Sequence, residues 1–85
     1  MSRILMFKAP WCGPCKIMGP VATEVCNSRN IELISINIDE EQEEASKWDI
    51  RSVPTFVFVD QDDIEFYRTS GSMTKNEFEI LVDNL

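Results

Sequence analysis

The 85 residues include 15 acidic and 8 basic side chains, three cysteines and no histidine, for a net charge of −7. That length suits one domain, residues 1–85, with a modest core, and the charge argues against nucleic acid or an anionic membrane as the main partner. Without histidine there is no Cys–His or Ser–His–Asp catalysis and no His-ligated metal, and one cysteine pair does not supply the four ligands of a structural zinc, so no metal is expected.

No apolar run approaches the roughly 18–20 residues of a membrane span. Met1-Ser2-Arg3 followed by Ile4 to Phe7 is too short for the apolar region of a signal peptide, and a cytoplasmic protein is expected. In a reducing compartment three cysteines do not read as a structural disulfide framework.

Arg3 to Lys8 reads as a first strand, apolar on both faces through Ile4, Leu5, Met6 and Phe7, hence central in a covered sheet. From Gly13 to about Ser28 the period becomes helical. Ile17, Met18, Val21, Ala22, Val25 and Cys26 form one apolar stripe, and Pro20 predicts a kink. Cys26, on that stripe, reads as a small buried hydrophobe. Ile31 to Ile38 alternates apolar Ile34, Ile36 and Ile38 with Ser35 and Asn37, the pattern of a half-exposed edge strand. Asp39 with Gln42 resembles a capping box for an acidic helix running through Ala45 to Trp48. After a loop closed by Val53-Pro54, Thr55 to Val59 is again apolar on both faces. Asp60 to Asp63 is a hairpin turn, and Ile64 to Thr69 is the returning strand. Thr74 with Glu77 is a second capping box, opening a helix whose apolar face is Phe78, Leu81, Val82 and Leu85. Trp48 and the phenylalanines read as packing residues. The expected order is β-α-β-α-β-β-α, an α/β fold with a parallel first pair of strands and an antiparallel last pair.

The chemistry concentrates in Trp11-Cys12-Gly13-Pro14-Cys15, two cysteines between a strand and a helix. A helix N-terminus carries partial positive charge and unpaired N–H groups, and both favour a thiolate. Such surroundings bring a cysteine pKa from ~8.5 down to about 3.5–7.5. Gly13 permits a tight turn, and Pro14 suits a first helical turn, where its missing N–H leaves nothing unpaired.

With this motif, Lys16, Pro20, Asn37-Ile38-Asp39, Ile50-Arg51-Ser52-Val53-Pro54-Thr55 and Gly71, the chain resembles the thioredoxin superfamily over nearly its whole length. The family's usual first strand and helix have no counterpart, and what is present is similar to the minimal core of glutaredoxins. The resemblance implies a thioredoxin-like four-stranded mixed sheet of order 2-1-3-4 flanked by three helices, with one face covered by the middle helix alone. It implies thiol–disulfide exchange, with Cys12 an exposed nucleophile and Cys15 a more buried resolving cysteine, the two forming the redox disulfide. It makes Trp11, Gly13, Pro14 and Lys16 supports of the motif. It makes Val53, a cis Pro54, Thr55 and Gly71 the substrate-docking surface, with the Val53 backbone pairing with an extended substrate. No bound cofactor is implied. Electrons would come from NADPH through a thioredoxin reductase, and the partners would be that reductase and disulfide-containing proteins such as ribonucleotide reductase, met by a monomer of bacterial, archaeal or phage origin.

The sequence departs from the pattern at Met6 and Ser35, where the family usually carries a buried aspartate and its lysine partner, and at Lys8, where an aromatic residue is common. Without a carboxylate at position 6, proton transfer at Cys15 is expected to pass through water or the departing thiolate. A glutathione-dependent, glutaredoxin-like reductase and a non-enzymatic thioredoxin-fold binding subunit are the alternative functions.

Overall fold

A computed structural model describes residues 2–85; Met1, the first residue of the expected domain and signal-segment readings, lies outside the described residues. The elements are β1 (Arg3–Lys8), α1 (Gly13–Ser28), β2 (Glu32–Asn37), α2 (Gln42–Lys47), β3 (Thr55–Val59), β4 (Glu65–Ser70) and α3 (Lys75–Asp83). The sheet order is β2-β1-β3-β4, with β1 parallel to β2 and the other pairs antiparallel. This is the four-stranded mixed sheet with three helices expected from the sequence.

Strands β1 and β3 are central because their side chains are apolar on both faces, and from Ile4 to Phe7 and Thr55 to Val59 every residue is buried. Alternation divides them between two apolar clusters. One face presents Ile4, Met6, Phe56 and Phe58 to α1 and α3, in a cluster that includes Cys12, Cys15, Met18 and Phe78. The rings of Phe56 and Phe78 meet at a tilt of 53°, 5.2 Å between centroids. The other face presents Leu5, Phe7, Val57 and Val59 to a thinner layer in which Trp48 and Ile50 are the main cover. Helix α2 itself buries none of its residues.

Local signals explain most element ends. Helix α3 starts at the expected capping box: Thr74 Oγ1 accepts from the Glu77 N–H at 3.1 Å, and Glu77 accepts from the Thr74 N–H at 2.9 Å. The β3–β4 turn is held by Asp60 Oδ1, which accepts from the N–H groups of Asp62 and Ile64. Helix α1 continues through Pro20. Arg29, just beyond its last turn, joins α1 to α3 by pairing with Asp83 and Glu79.

Three readings need correction. Helix α2 has no Asp39–Gln42 capping box: its N-cap is Glu41, with no side-chain cap, and Gln42 Nε2 donates to the Asp39 carbonyl instead. The first-helix stripe loses Ile17, which is 66% exposed. The helix begins at Gly13, and its buried positions are Cys15, Met18, Ala22, Val25 and Cys26, so the core-facing line passes to one side of Ile17. Phe66 on edge strand β4 is half exposed, with only the edge of its ring toward Phe58.

Candidate active site

Register brings the site together. Lys8 ends β1 opposite Asn37 at the end of β2, Phe7 pairs with Thr55 at the start of β3, and Thr55 pairs with Ser70 at the end of β4. The segments following β1, preceding β3 and following β4 therefore lie at one end of the sheet. These are the segments that carry the Cys motif, Val53-Pro54 and Gly71.

The β1–α1 connection is short and turns sharply, with the Cys12 N–H donating to the Ala9 carbonyl at 3.1 Å. Cys12 is the N-cap of α1 in extended conformation, and its Sγ accepts from the Cys15 N–H at 3.2 Å. A sulfur thus occupies the place where a serine or aspartate oxygen usually caps a helix, so negative charge on it meets the helix dipole and an N–H donor together. No acidic residue lies in the first turn to oppose that charge. Cys12 and Cys15 are joined as a disulfide. Both are buried, at 4% and 5% exposure, which corrects the expectation of an exposed Cys12 beside a more buried Cys15. Cys12 packs in the same apolar cluster as Cys15.

Around the pair, Trp11 is 68% exposed, and its indole N–H donates to Asp39 Oδ2 at 3.1 Å. Gly13, Pro14 and Lys16 are exposed along the start of α1. Exposed Ile17 adds an apolar side chain one turn into the helix. The sequence pattern marks neither Asp39 nor Ile17 as part of the site. Spacing points Asp39 to a helix cap and Ile17 to the core, and the signal for Ile17 is its offset from the line through Cys15 and Met18.

The Val53–Pro54 peptide bond is cis. Pro54 and Thr55 are buried rather than presented to solvent. Thr55 Oγ1 lies 2.7 Å from the Ser52 carbonyl and 2.9 Å from Ser70 Oγ, closing the loop against β4. The Pro54 carbonyl accepts from Gly71 N–H at 2.9 Å. Gly71 has φ of 93°, a conformation that side chains rarely adopt. Val53 is half-buried and packs against both apolar clusters. Among the described residues no backbone group pairs with its N–H or C=O.

Met6 and Ser35 are register partners on β1 and β2. With Lys8, Cys15, Lys16 and Asn37 they line a groove of about 420 Å³. No carboxylate lines it. The third cysteine, Cys26, is 1% exposed, and burial pushes its thiol up to about 11 against a smaller pull from Arg29. It is a neutral, inert side chain at neutral pH, as the apolar stripe suggested. Among the described residues no cluster of metal-ligating side chains is present, and no helix is long and apolar enough to cross a membrane.

Comparison with known proteins agrees with this geometry. The sequence model of the thioredoxin family matches residues 2–84. A thioredoxin of Mycoplasmoides gallisepticum is 36% identical over 80 residues, covering 93% of this chain and 79% of that protein. The Bacillus subtilis thioredoxin is 40% identical over 55 residues, which span 62% of this chain and 53% of its own. The match to a rice TPR repeat-containing thioredoxin spans only 18% of that protein. Among solved structures, a point mutant of the Halobacterium salinarum thioredoxin superposes with a TM-score of 0.88 at 28% identity, covering 98% of this chain and 73% of that one. The Fasciola hepatica thioredoxin gives 0.86 at 27% identity, covering 98% and 79%. From a Cys pair capping the helix after a central strand, a cis-proline loop at the same sheet end and a family match over 2–84, it follows that the chain belongs to the thioredoxin family and is a thiol–disulfide oxidoreductase.

Proposed function

We propose that the protein is a thioredoxin-type protein disulfide reductase whose working group is the Cys12-Gly13-Pro14-Cys15 dithiol. The observation that carries this reading is the Cys12–Cys15 disulfide at the N-terminus of α1, with Cys12 Sγ receiving the Cys15 N–H. In the reduced protein the same N–H and the helix dipole favour a thiolate on Cys12. That thiolate attacks one sulfur of a substrate disulfide and expels the other as a thiol. Cys15 then attacks Cys12, forms the Cys12–Cys15 bond and releases the second substrate sulfur. Two electrons pass from the protein to the substrate.

The loop geometry supports a docking mode for the substrate. The unpaired N–H and C=O of Val53 offer an extended substrate segment a short ladder beside the Cys pair. Pro54 and Thr55 shape that loop from beneath, and Gly71 and Trp11 border it. Lys16 adds positive potential at the mouth. One thioredoxin-like domain, residues 1–85, acting as a monomer in the cytoplasm, suffices for this chemistry. No bound cofactor takes part; NADPH through a thioredoxin reductase returns the disulfide to the dithiol, and disulfide-containing proteins such as ribonucleotide reductase are the substrates.

The test is reduction of insulin disulfides with either NADPH and thioredoxin reductase or glutathione as electron source. Turnover is expected with the reductase and at least tenfold less with glutathione, and Cys12→Ser is expected to abolish it. Turnover sustained by glutathione alone would assign a glutaredoxin-like reductase, and full function in Cys12→Ser would assign a binding subunit.

A further inference from the structure

We propose that the groove between β1, β2 and α1 is the route by which Cys15 exchanges its proton with water, and that Lys8 and Lys16 set the charge felt by its sulfur. The inference rests on the dithiol exchange proposed above.

To resolve a mixed disulfide, Cys15 must first lose its S–H proton, because the thiolate is the attacking species. The Cys15 side chain is 5% exposed and packs among Met6, Ala9 and Met18, none of which accepts a proton. What remains open to it is the groove that Cys15 itself lines, and a volume of about 420 Å³ is many times that of one water. The walls offer water polar anchors. Ser35 has no side-chain hydrogen bond among the described residues and is exposed. The Lys16 carbonyl has no donor four residues on, because Pro20 lacks an N–H.

The charge of the groove is as specific as its shape. In a chain of net charge −7, five of the eight cations, Arg3, Arg29, Arg51, Arg68 and Lys75, are ion-paired. Of the other three, Lys47 lies over Trp48, while Lys8 from β1 and Lys16 from α1 line the groove. The residues contributed by β2, Ser35 and Asn37, are uncharged, and no residue of β3, β4 or α3 lines it. Asp39 is turned to the Trp11 indole. Glu40 Oε1 accepts from the side-chain amide of Asn37 at 2.9 Å, so its charge is held by a residue of the β2 wall. Two ammonium groups with no ion-pair partner among the described residues, in a groove that no carboxylate lines, stabilise a thiolate at Cys15.

The step balances. With Cys12 bonded to a substrate sulfur, Cys15 gives its proton to groove water. The Cys15–Cys12 bond forms, the Cys12–substrate bond breaks, and the electron pair leaves with the substrate sulfur, which takes a proton from solvent. The protein dithiol is oxidised to the disulfide and the substrate disulfide is reduced. Lys8 and Lys16 act as positioning residues through their field.

A small aromatic disulfide, 5,5′-dithiobis(2-nitrobenzoate), separates the two steps, because attack by Cys12 releases one chromophore and resolution by Cys15 releases the second. Absence of the first release overturns the dithiol-exchange reading itself. For the groove, Gly19→Leu is the blocking variant. Gly19 lines the groove, a Cβ there meets nothing within 4 Å, and leucine favours helix over glycine. The expected result is an unchanged first release and a second release slowed about threefold or more, with a melting curve confirming the fold. In Lys8→Met with Lys16→Met, the pH profile of the second release is expected to move up by about half a pH unit at low salt, and by less at high salt. An unslowed second release in folded Gly19→Leu overturns the route. A pH profile that stays in place in the double lysine variant overturns the role of the lysines, and that variant also decides the matter if Gly19→Leu does not fold.

Discussion

Met6→Asp puts a carboxyl group into the β1 wall beside Cys15, and its effects on stability and on rate have opposite signs. Met6 is fully buried, pairs with Ser35 on β2 and Phe56 on β3, and belongs to the cluster that contains Cys15. Removing its side chain costs about 2–5 kcal/mol in lost transfer energy and unfilled space. The shorter side chain leaves space next to the groove that Met6 lines, and with water admitted there the carboxyl's desolvation adds about 1 kcal/mol rather than the several of a sealed core. The total of about 3–6 kcal/mol compares with the roughly 5–15 kcal/mol that holds a small domain together.

Partial burial raises the carboxyl's folded pKa above its unfolded value of about 3.9. The protonated form is therefore favoured in the folded state. Its contribution is intact below about pH 4 and lost as pH rises through the folded pKa. The variant is thus more destabilised at pH 8 than at pH 4.5, by about 1.4 kcal/mol for every pH unit by which the folded pKa exceeds about 4.5. Urea denaturation at the two pH values measures this. Once ionised, the carboxylate is a local base for the Cys15 proton. The second chromophore release is expected to run roughly tenfold or more faster than in Met6→Asn, which carries the same packing defect without the base. Resolution in Met6→Asp that equals or falls below that of the wild type, or that matches Met6→Asn, would refute the argument that proton removal at Cys15 is limited by the missing carboxylate.

Thr74→Ala removes the side-chain half of the α3 capping box and should lower stability by about 1 kcal/mol, a fall in melting temperature of about 4–8 °C by calorimetry. Cys26 makes an alkaline prediction. Its thiol titrates near 9.0 when unfolded and at about 11 when folded, so its contribution is present below pH 9 and lost as pH rises through 11. Denaturation curves at pH 8 and pH 11 should therefore show a loss of up to about 2–3 kcal/mol in the wild type that is missing in Cys26→Ala; equal losses in both proteins would contradict it.

The central strands, the edge position of β2, the α3 cap and the Cys pair at a helix start are legible because each is written in neighbouring residues. Thr55 to Val59 has no polar face, Ile34 and Ile36 alternate with Ser35 and Asn37, and Thr74 stands three residues before Glu77. What escapes depends on residues distant in sequence. Asp39 fits a cap by spacing, yet its carboxylate meets the Trp11 indole 28 residues away. Ile17 belongs to an apolar stripe until the helix start at Gly13 fixes which line faces the sheet. The groove beside Cys15 is visible in no window, since its walls come from residues 6 to 37 and its open centre arises where Pro20 and Gly19 leave space on α1. The burial of Cys12 escapes for a similar reason, because the cluster it packs in draws on β1, α1, β3 and α3.

The two faces of the sheet carry separate apolar clusters, one holding the Cys pair under α1 and α3, the other under the α2 side, with Ile38 and Val53 packed against both. The molecule thus has two apolar layers sharing one sheet. Helix α2 has six residues, none buried, and no side-chain cap, so its opening exposes little apolar area and demands little free energy. Such an opening leaves the disulfide's own packing in place and reaches the site through Val53, in the proposed docking loop, and Ile38, next to the aspartate that holds Trp11. Under the proposed docking mode, transient loss of the weaker layer changes how substrates are received before it changes the sulfur chemistry.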